Sequence, residues 1–180
     1  RHAANRIEAI SVRNSGQEIP VTGSNYISSM PLDELVFLLD PPPPAQVLDA
    51  ARQLSYRAFI LVGLIVNEPE LFPDNWIYVH SPDVKVGRIQ NFKNWSPAMV
   101  PDPETTSLGM EYFCSEGDEL WSMPDAELID TARRELQILG LGDAPSVKDG
   151  VVFREPKAYP VYTNGYLHHV QTIRDFLKSI

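Results

Sequence analysis

From Tyr56 to Val66 the chain reads YRAFILVGLIV, with branched apolar residues at both odd and even positions. A strand that is apolar at both parities belongs inside a sheet, with cover on each face. The uninterrupted apolar part, Ala58 to Val66, is far too short for a membrane helix, which needs about 20 such residues. A central strand covered on both sides is therefore expected here, and the remaining elements have to be arranged around it.

Shorter strand patterns lie on either side. Ile7 to Val12 and Ile19 to Thr22 flank Asn14-Ser15-Gly16 and predict a hairpin. NWIYVH and VKVGRIQNF, separated by Ser81-Pro82-Asp83, predict a strand pair, with a strand from Val84 to Phe92. LGMEYFC (Leu108 to Cys114) and GVVFREPKAYPVY add two more, and a short apolar strand is expected to end at Ser28. Helical periodicity appears four times. One helix is expected to start near Pro31 with Ser29 as its cap and to stop at Asp40 and the four prolines Pro41 to Pro44. A second carries Val47, Leu48, Ala51 and Leu54 on one stripe. A third carries Leu128, Ile129, Ala132, Leu136 and Leu139, with Ser122 and Asp125 as a capping box and Gly140 as its stop. The last buries Leu167, Val170, Ile173 and Leu177. Hairpin-linked strands interrupted irregularly by helices imply an α+β fold, a mixed and largely antiparallel sheet flanked by helices.

Charge and cysteine content narrow the function. A net charge of −9 argues against a nucleic-acid surface, which requires clustered Lys and Arg. The single Cys114 cannot form an internal disulfide, so a reducing, cytoplasmic setting is expected. No nucleophile elbow, phosphate loop, CxxC or HExxH motif is present. Gly140 to Pro145 (GLGDAP) follows a helix instead of a strand, which is the wrong context for a dinucleotide loop and the right one for a helix stop. His168 and His169 are neighbours on a helix and point apart, so they cannot chelate one metal. Trp76 and Trp95 are expected as core anchors by residue type, and Cys114 as a small core residue. The residues alone thus describe an α+β domain with no catalytic residue and no metal site of its own.

The chain starts Arg1-His2-Ala3 and its final helix ends on a bare Ile180, from which a piece of a longer polypeptide is expected. Three ordered segments point the same way: YISSMPLDELV (Tyr26 to Val36), GRIQNFKNWSPAMVPD (Gly87 to Asp102) and KAYPVYTNGYLHHVQTIRDFL (Lys157 to Leu177). Together they resemble the flavin-containing amine oxidase superfamily, and within it the UDP-galactopyranose mutase-like branch. The resemblance implies that residues 1–29 are a strand-rich excursion of an FAD-binding domain and residues 30–180 the substrate-binding domain. It implies FAD in the full-length protein and none in this chain, whose missing partner is the FAD-binding domain of the same polypeptide.

The resemblance also assigns positions. Arg88, Phe92 and Trp95, followed by Ser96-Pro97, match the place where the mutase branch grips a substrate pyrophosphate, and an arginine fork suits that task. Tyr159 and Tyr162 match the aromatic lining of the cavity, and Met30 and Pro31 the flavin-proximal segment. A substrate-gripping Arg88 is expected to face a concavity with no carboxylate partner, sharing its strand face with Val86, Gln90 and Phe92. The expected substrate is a small molecule, anionic if Arg88 holds it. An FAD-dependent oxidoreductase comes first, a redox-neutral mutase second and a non-catalytic binding domain third. Self-association through exposed apolar surface near Met30-Pro31 and the terminal helix is expected of the isolated chain.

Overall fold

The structure, a computed structural model, describes residues 1–3 and 5–180. The chain divides into two compact units, Arg1–Ser55 with Pro160–Ile180, and Tyr56–Tyr159. The first unit opens with a minimal antiparallel pair, β1 (His2–Ala3) and β2 (Arg6–Ile7). A hairpin of β3 (Ile10–Asn14) and β4 (Gln17–Val21) follows. Its turn places Ser15 at φ 50° and Gly16 at φ 83°, the two left-handed positions that a tight hairpin requires. The register sets Ile10 opposite Val21 and Val12 opposite Ile19, so four branched apolar residues share one exposed face.

The segment ending at Ser28 is not a strand. Ile27 is 97% exposed, and Tyr26 instead donates its hydroxyl to the Glu8 carbonyl at 2.9 Å and accepts from Gly23 N at 2.8 Å. α1 (Leu32–Phe37) starts directly after Pro31, with no side-chain cap, so the expected Ser29 cap is not used. The fixed φ of proline supplies the start that a capping side chain would otherwise supply. After the four prolines, α2 (Ala45–Arg52) buries Val47, Ala50 and Ala51.

The second unit is built on a five-stranded sheet. Its strands are β5 (Ser55–Val66), β6 (Trp76–Tyr78), β7 (Arg88–Asn91), β8 (Thr106–Cys114) and β9 (Val147–Val161), in the order β6-β7-β8-β5-β9. The β6–β7, β7–β8 and β5–β8 pairs are antiparallel. A short helix α3 (Phe92–Trp95) directly continues β7, and α4 (Glu119–Ser122) precedes α5 (Asp125–Ile138). One sheet face carries Ile60, Val62, Leu64, Ile89, Leu108, Met110 and Tyr112, all fully buried, in one core with Leu128, Ala132 and Leu136 of α5. Cys114 belongs to this core, and burial first, then Asp118, pushes its thiol pKa up.

Three expectations are corrected in this unit. β5 is apolar at both parities but fully buried at only one, because Phe59, Leu61 and Ile65 lie on a partly open face. α5 has Pro124 as its N-cap and no capping box; Ser122 closes α4, while the Asp125 carboxylate takes Arg154 Nη1 at 2.6 Å. The strand expected over 84–92 is regular only from Arg88 to Asn91. The cause is Glu135 of α5, whose carboxylate accepts from Lys85 N at 2.7 Å, Val86 N at 3.1 Å and the Tyr112 hydroxyl at 2.9 Å. With those amides drawn to a helix, Val86 joins the core together with Ile89 and does not share a face with Arg88.

α6 (Tyr166–Leu177) returns to the first unit. It follows Gly165 at φ 87° and buries Ile173 against Val36, Val47, Ala50 and Ala51. Among the described residues no helix is long and apolar enough to cross a membrane.

Candidate functional site

The sheet face opposite α5 carries a polar centre among aromatic rings. The register places Arg88 beside Glu111 and opposite Tyr78, with Gln90 one step along β7 beside Gly109. Glu111 is 1% exposed, and a carboxylate so deeply buried has to be paired. Arg88 Nε and Nη2 both donate to Glu111 Oε2 at 2.5 Å, and Gln90 Nε2 donates to Oε1 at 2.5 Å. Arg88 Nη2 also donates to the Tyr159 hydroxyl at 3.1 Å. The guanidinium carbon lies 5.8 Å from the Tyr78 ring centre and 5.9 Å from that of Phe113, within cation–π range. Burial opposes the charge of Arg88. Hydrogen bonds to Glu111, Tyr78 and Tyr159 outweigh that cost and hold its pKa above the ordinary arginine value.

This overturns the expectation of an Arg88 without a carboxylate partner. A guanidinium already neutralised by a buried glutamate has no standing charge for a pyrophosphate to satisfy. Tyr159 does meet Arg88, as the aromatic lining requires, and its ring lies 6.4 Å from Phe59 and 5.9 Å from Phe113. Phe92 reaches the same face, seated over Gly109, where an added Cβ would come within 2.9 Å of its ring. Trp95 and Trp76 are not core anchors. They are 47% and 46% exposed, with ring centres 5.5 Å apart.

Tyr162, Met30 and Pro31 belong to the other unit. Tyr162 is 72% exposed and stacks on Tyr166 at 4.8 Å; Met30 is 44% exposed, and Pro31 caps α1. Sequence reasoning missed Glu111, Phe113, Phe59 and Tyr78. For Glu111 a signal was available: it is the lone charged residue in an otherwise uncharged buried strand, TSLGMEYFC, and such a residue demands a partner.

Among the described residues no group of His, Cys, Asp and Glu is arranged to hold a metal ion. Nor does a Gly-rich turn lead from a strand into a helix. Gly140, at φ 68°, ends α5 as expected and leads to a single helical turn at Ala144–Ser146. The residues present therefore do not fit the pyrophosphate of a dinucleotide cofactor, which calls for such a turn at a helix N-terminus.

The fold is α+β, an antiparallel sheet with helices, and its solved neighbours are domains of FAD-dependent oxidoreductases. Solved structures with this fold include a reduced UDP-galactopyranose mutase (TM-score 0.72, 20% identity, 96% of this chain and 36% of that one). A protein from Exiguobacterium sp. 255-15 assigned as a protoporphyrinogen oxidase is also similar (TM-score 0.61, 21% identity, 94% and 39%). So is putrescine oxidase bound to putrescine (TM-score 0.60, 19% identity, 89% and 36%). All three belong to the flavin amine oxidase superfamily, so the resemblance seen in the sequence holds at the level of fold. The chain spans 36–39% of the length of these neighbours. No protein-family model and no curated protein matches the sequence.

Proposed function

We propose that this chain is the substrate-binding portion of a longer FAD-dependent oxidoreductase that removes hydride from a C–N, C–C or C–O bond. The observation that carries this reading is the fold likeness over 89–96% of the chain to three enzymes of one flavoprotein superfamily. The open sheet face is then the substrate wall, with Arg88, Phe92, Trp95 and Tyr159 on it, and Tyr162 keeps the cavity-lining role that the sequence resemblance implies. Residues 1–29 form an excursion of the FAD-binding domain, and Met30 and Pro31 stand nearest the flavin. FAD itself is held by sequence outside these residues, so this chain alone is colourless and inactive. The buried, reduced Cys114 fits a cytoplasmic enzyme.

A redox-neutral mutase is the second reading, favoured by the higher TM-score of 0.72 to the mutase. The Arg88–Glu111 pair weighs against it, because the expected pyrophosphate grip needed a free arginine. The two readings separate in one experiment on the polypeptide expressed with its native flanks. With reduced flavin and UDP-galactopyranose under anaerobic conditions, the oxidoreductase reading predicts no isomer of the sugar nucleotide. Isomer formed over many turnovers, with the flavin spectrum unchanged at the end, would replace it with the mutase.

A further inference from the structure

The polar centre on the open sheet face carries no surplus charge of either sign. Both Glu111 oxygens are engaged, at 1% exposure, so no carboxylate remains for an ammonium group. Arg88 is compensated at 2.5 Å, so its attraction for a second anion is largely spent. Arg57 lies further along the same face, where it donates to the Phe113 carbonyl at 3.4 Å and its charge acts on Asp118. The groups left for a ligand are dipolar. The Tyr159 hydroxyl accepts from Arg88 and keeps its own proton to donate. The Gln90 amide gives its nitrogen to Glu111 and leaves its oxygen to accept. Tyr78 hydrogen-bonds Arg88 as well, so the guanidinium is held by three partners and is not among the groups left over. Phe59, Phe113 and Tyr159 surround these groups with ring centres 5.9–6.4 Å apart, and Phe113 and Tyr159 are 36% and 40% exposed.

We propose that this centre selects an uncharged ring compound bearing a carbonyl or hydroxyl oxygen, against amines and against phosphorylated ligands. The ring packs on Phe113 and Tyr159, and the oxygen takes a hydrogen bond from the Tyr159 hydroxyl. Stacking and neutral hydrogen bonds then supply the binding energy, with charge pairing absent. This deepens the substrate-wall reading and rests on it, narrowing the oxidised bond to C–O or C–C in place of the C–N bond of a protonated amine.

The test uses this chain and four probes of graded charge: benzamide, benzoate, benzylamine and inorganic pyrophosphate. Binding is followed by NMR through the Arg88 Nε–H and Gln90 side-chain amide signals. Benzamide should give saturable shifts at both, with each charged probe at least about tenfold weaker. Glu111→Gln should move the preference to benzoate by about tenfold, because the arginine is then uncompensated. If that variant does not fold, Tyr159→Phe, a change at a half-exposed hydroxyl, should weaken benzamide severalfold with the fold intact. Equal or tighter binding of any charged probe, the absence of saturable benzamide shifts, or an unchanged benzamide affinity in Tyr159→Phe would overturn the proposal. Failure of the enzyme reading shows elsewhere, as a longer polypeptide that carries no flavin.

Discussion

Glu111 holds Arg88 on one oxygen and Gln90 on the other, so removing either member of the ion pair strands the other in a desolvated place. Glu111→Ala should cost about 3–5 kcal/mol in urea unfolding, whereas the double change Arg88→Met with Glu111→Leu should recover most of that loss. A double variant as unstable as the single one would show that the pair stabilises the sheet in its own right. Tyr112 sets a second residue-scale expectation. Burial first, then the negative charge and hydrogen bond of Glu135, pushes its pKa well above the ordinary phenol value of about 10. The folded state therefore keeps a proton that the unfolded state loses. The stability linked to Tyr112 is complete below pH 10 or so and declines as the pH rises beyond it. Alkaline titration of stability should show this decline in the native chain and a shallower one in Tyr112→Phe; identical profiles would contradict it.

Elements were legible where periodicity speaks for itself. β5, α5 and α6 fall where the apolar run or the apolar stripe places them, and the Gly140 stop ends α5 as expected. The helix starts were misread at Ser29 and Ser122, because a proline sets the first turn in both places and no capping side chain is used. The irregular stretch before β7 was not readable at all. Its amides are claimed by Glu135, fifty residues away from Lys85 in sequence, and no local pattern encodes that. At this scale the close seat of Phe92 over Gly109 makes a firm expectation. A methyl group there would meet Phe92 and Leu61 at 2.9 Å, so Gly109→Ala should destabilise by about 1–3 kcal/mol in chemical unfolding. A neutral effect would mean that both side chains move aside freely.

The fold of the whole molecule followed from its sequence more readily than its site did. Ordered segments such as GRIQNFKNWSPAMVPD pointed to the superfamily, but the partner of Arg88 depended on the β7–β8 register, which only the three-dimensional structure supplies. Much apolar surface is exposed: Ile10, Val12, Ile19 and Val21 on one hairpin face, besides Ile27, Leu38 and Leu167. The isolated chain should therefore self-associate, and sedimentation should show a concentration-dependent mass; a strict monomer across the range would contradict that. The central claim is that these residues serve a flavin held elsewhere in the polypeptide. Its most direct test is the visible absorption spectrum of two dialysed samples, this chain alone and the same chain with its native flanking sequence. A colourless chain beside a longer polypeptide with one bound flavin is the predicted result. A flavin spectrum from the chain alone, or none from the longer polypeptide, would contradict it.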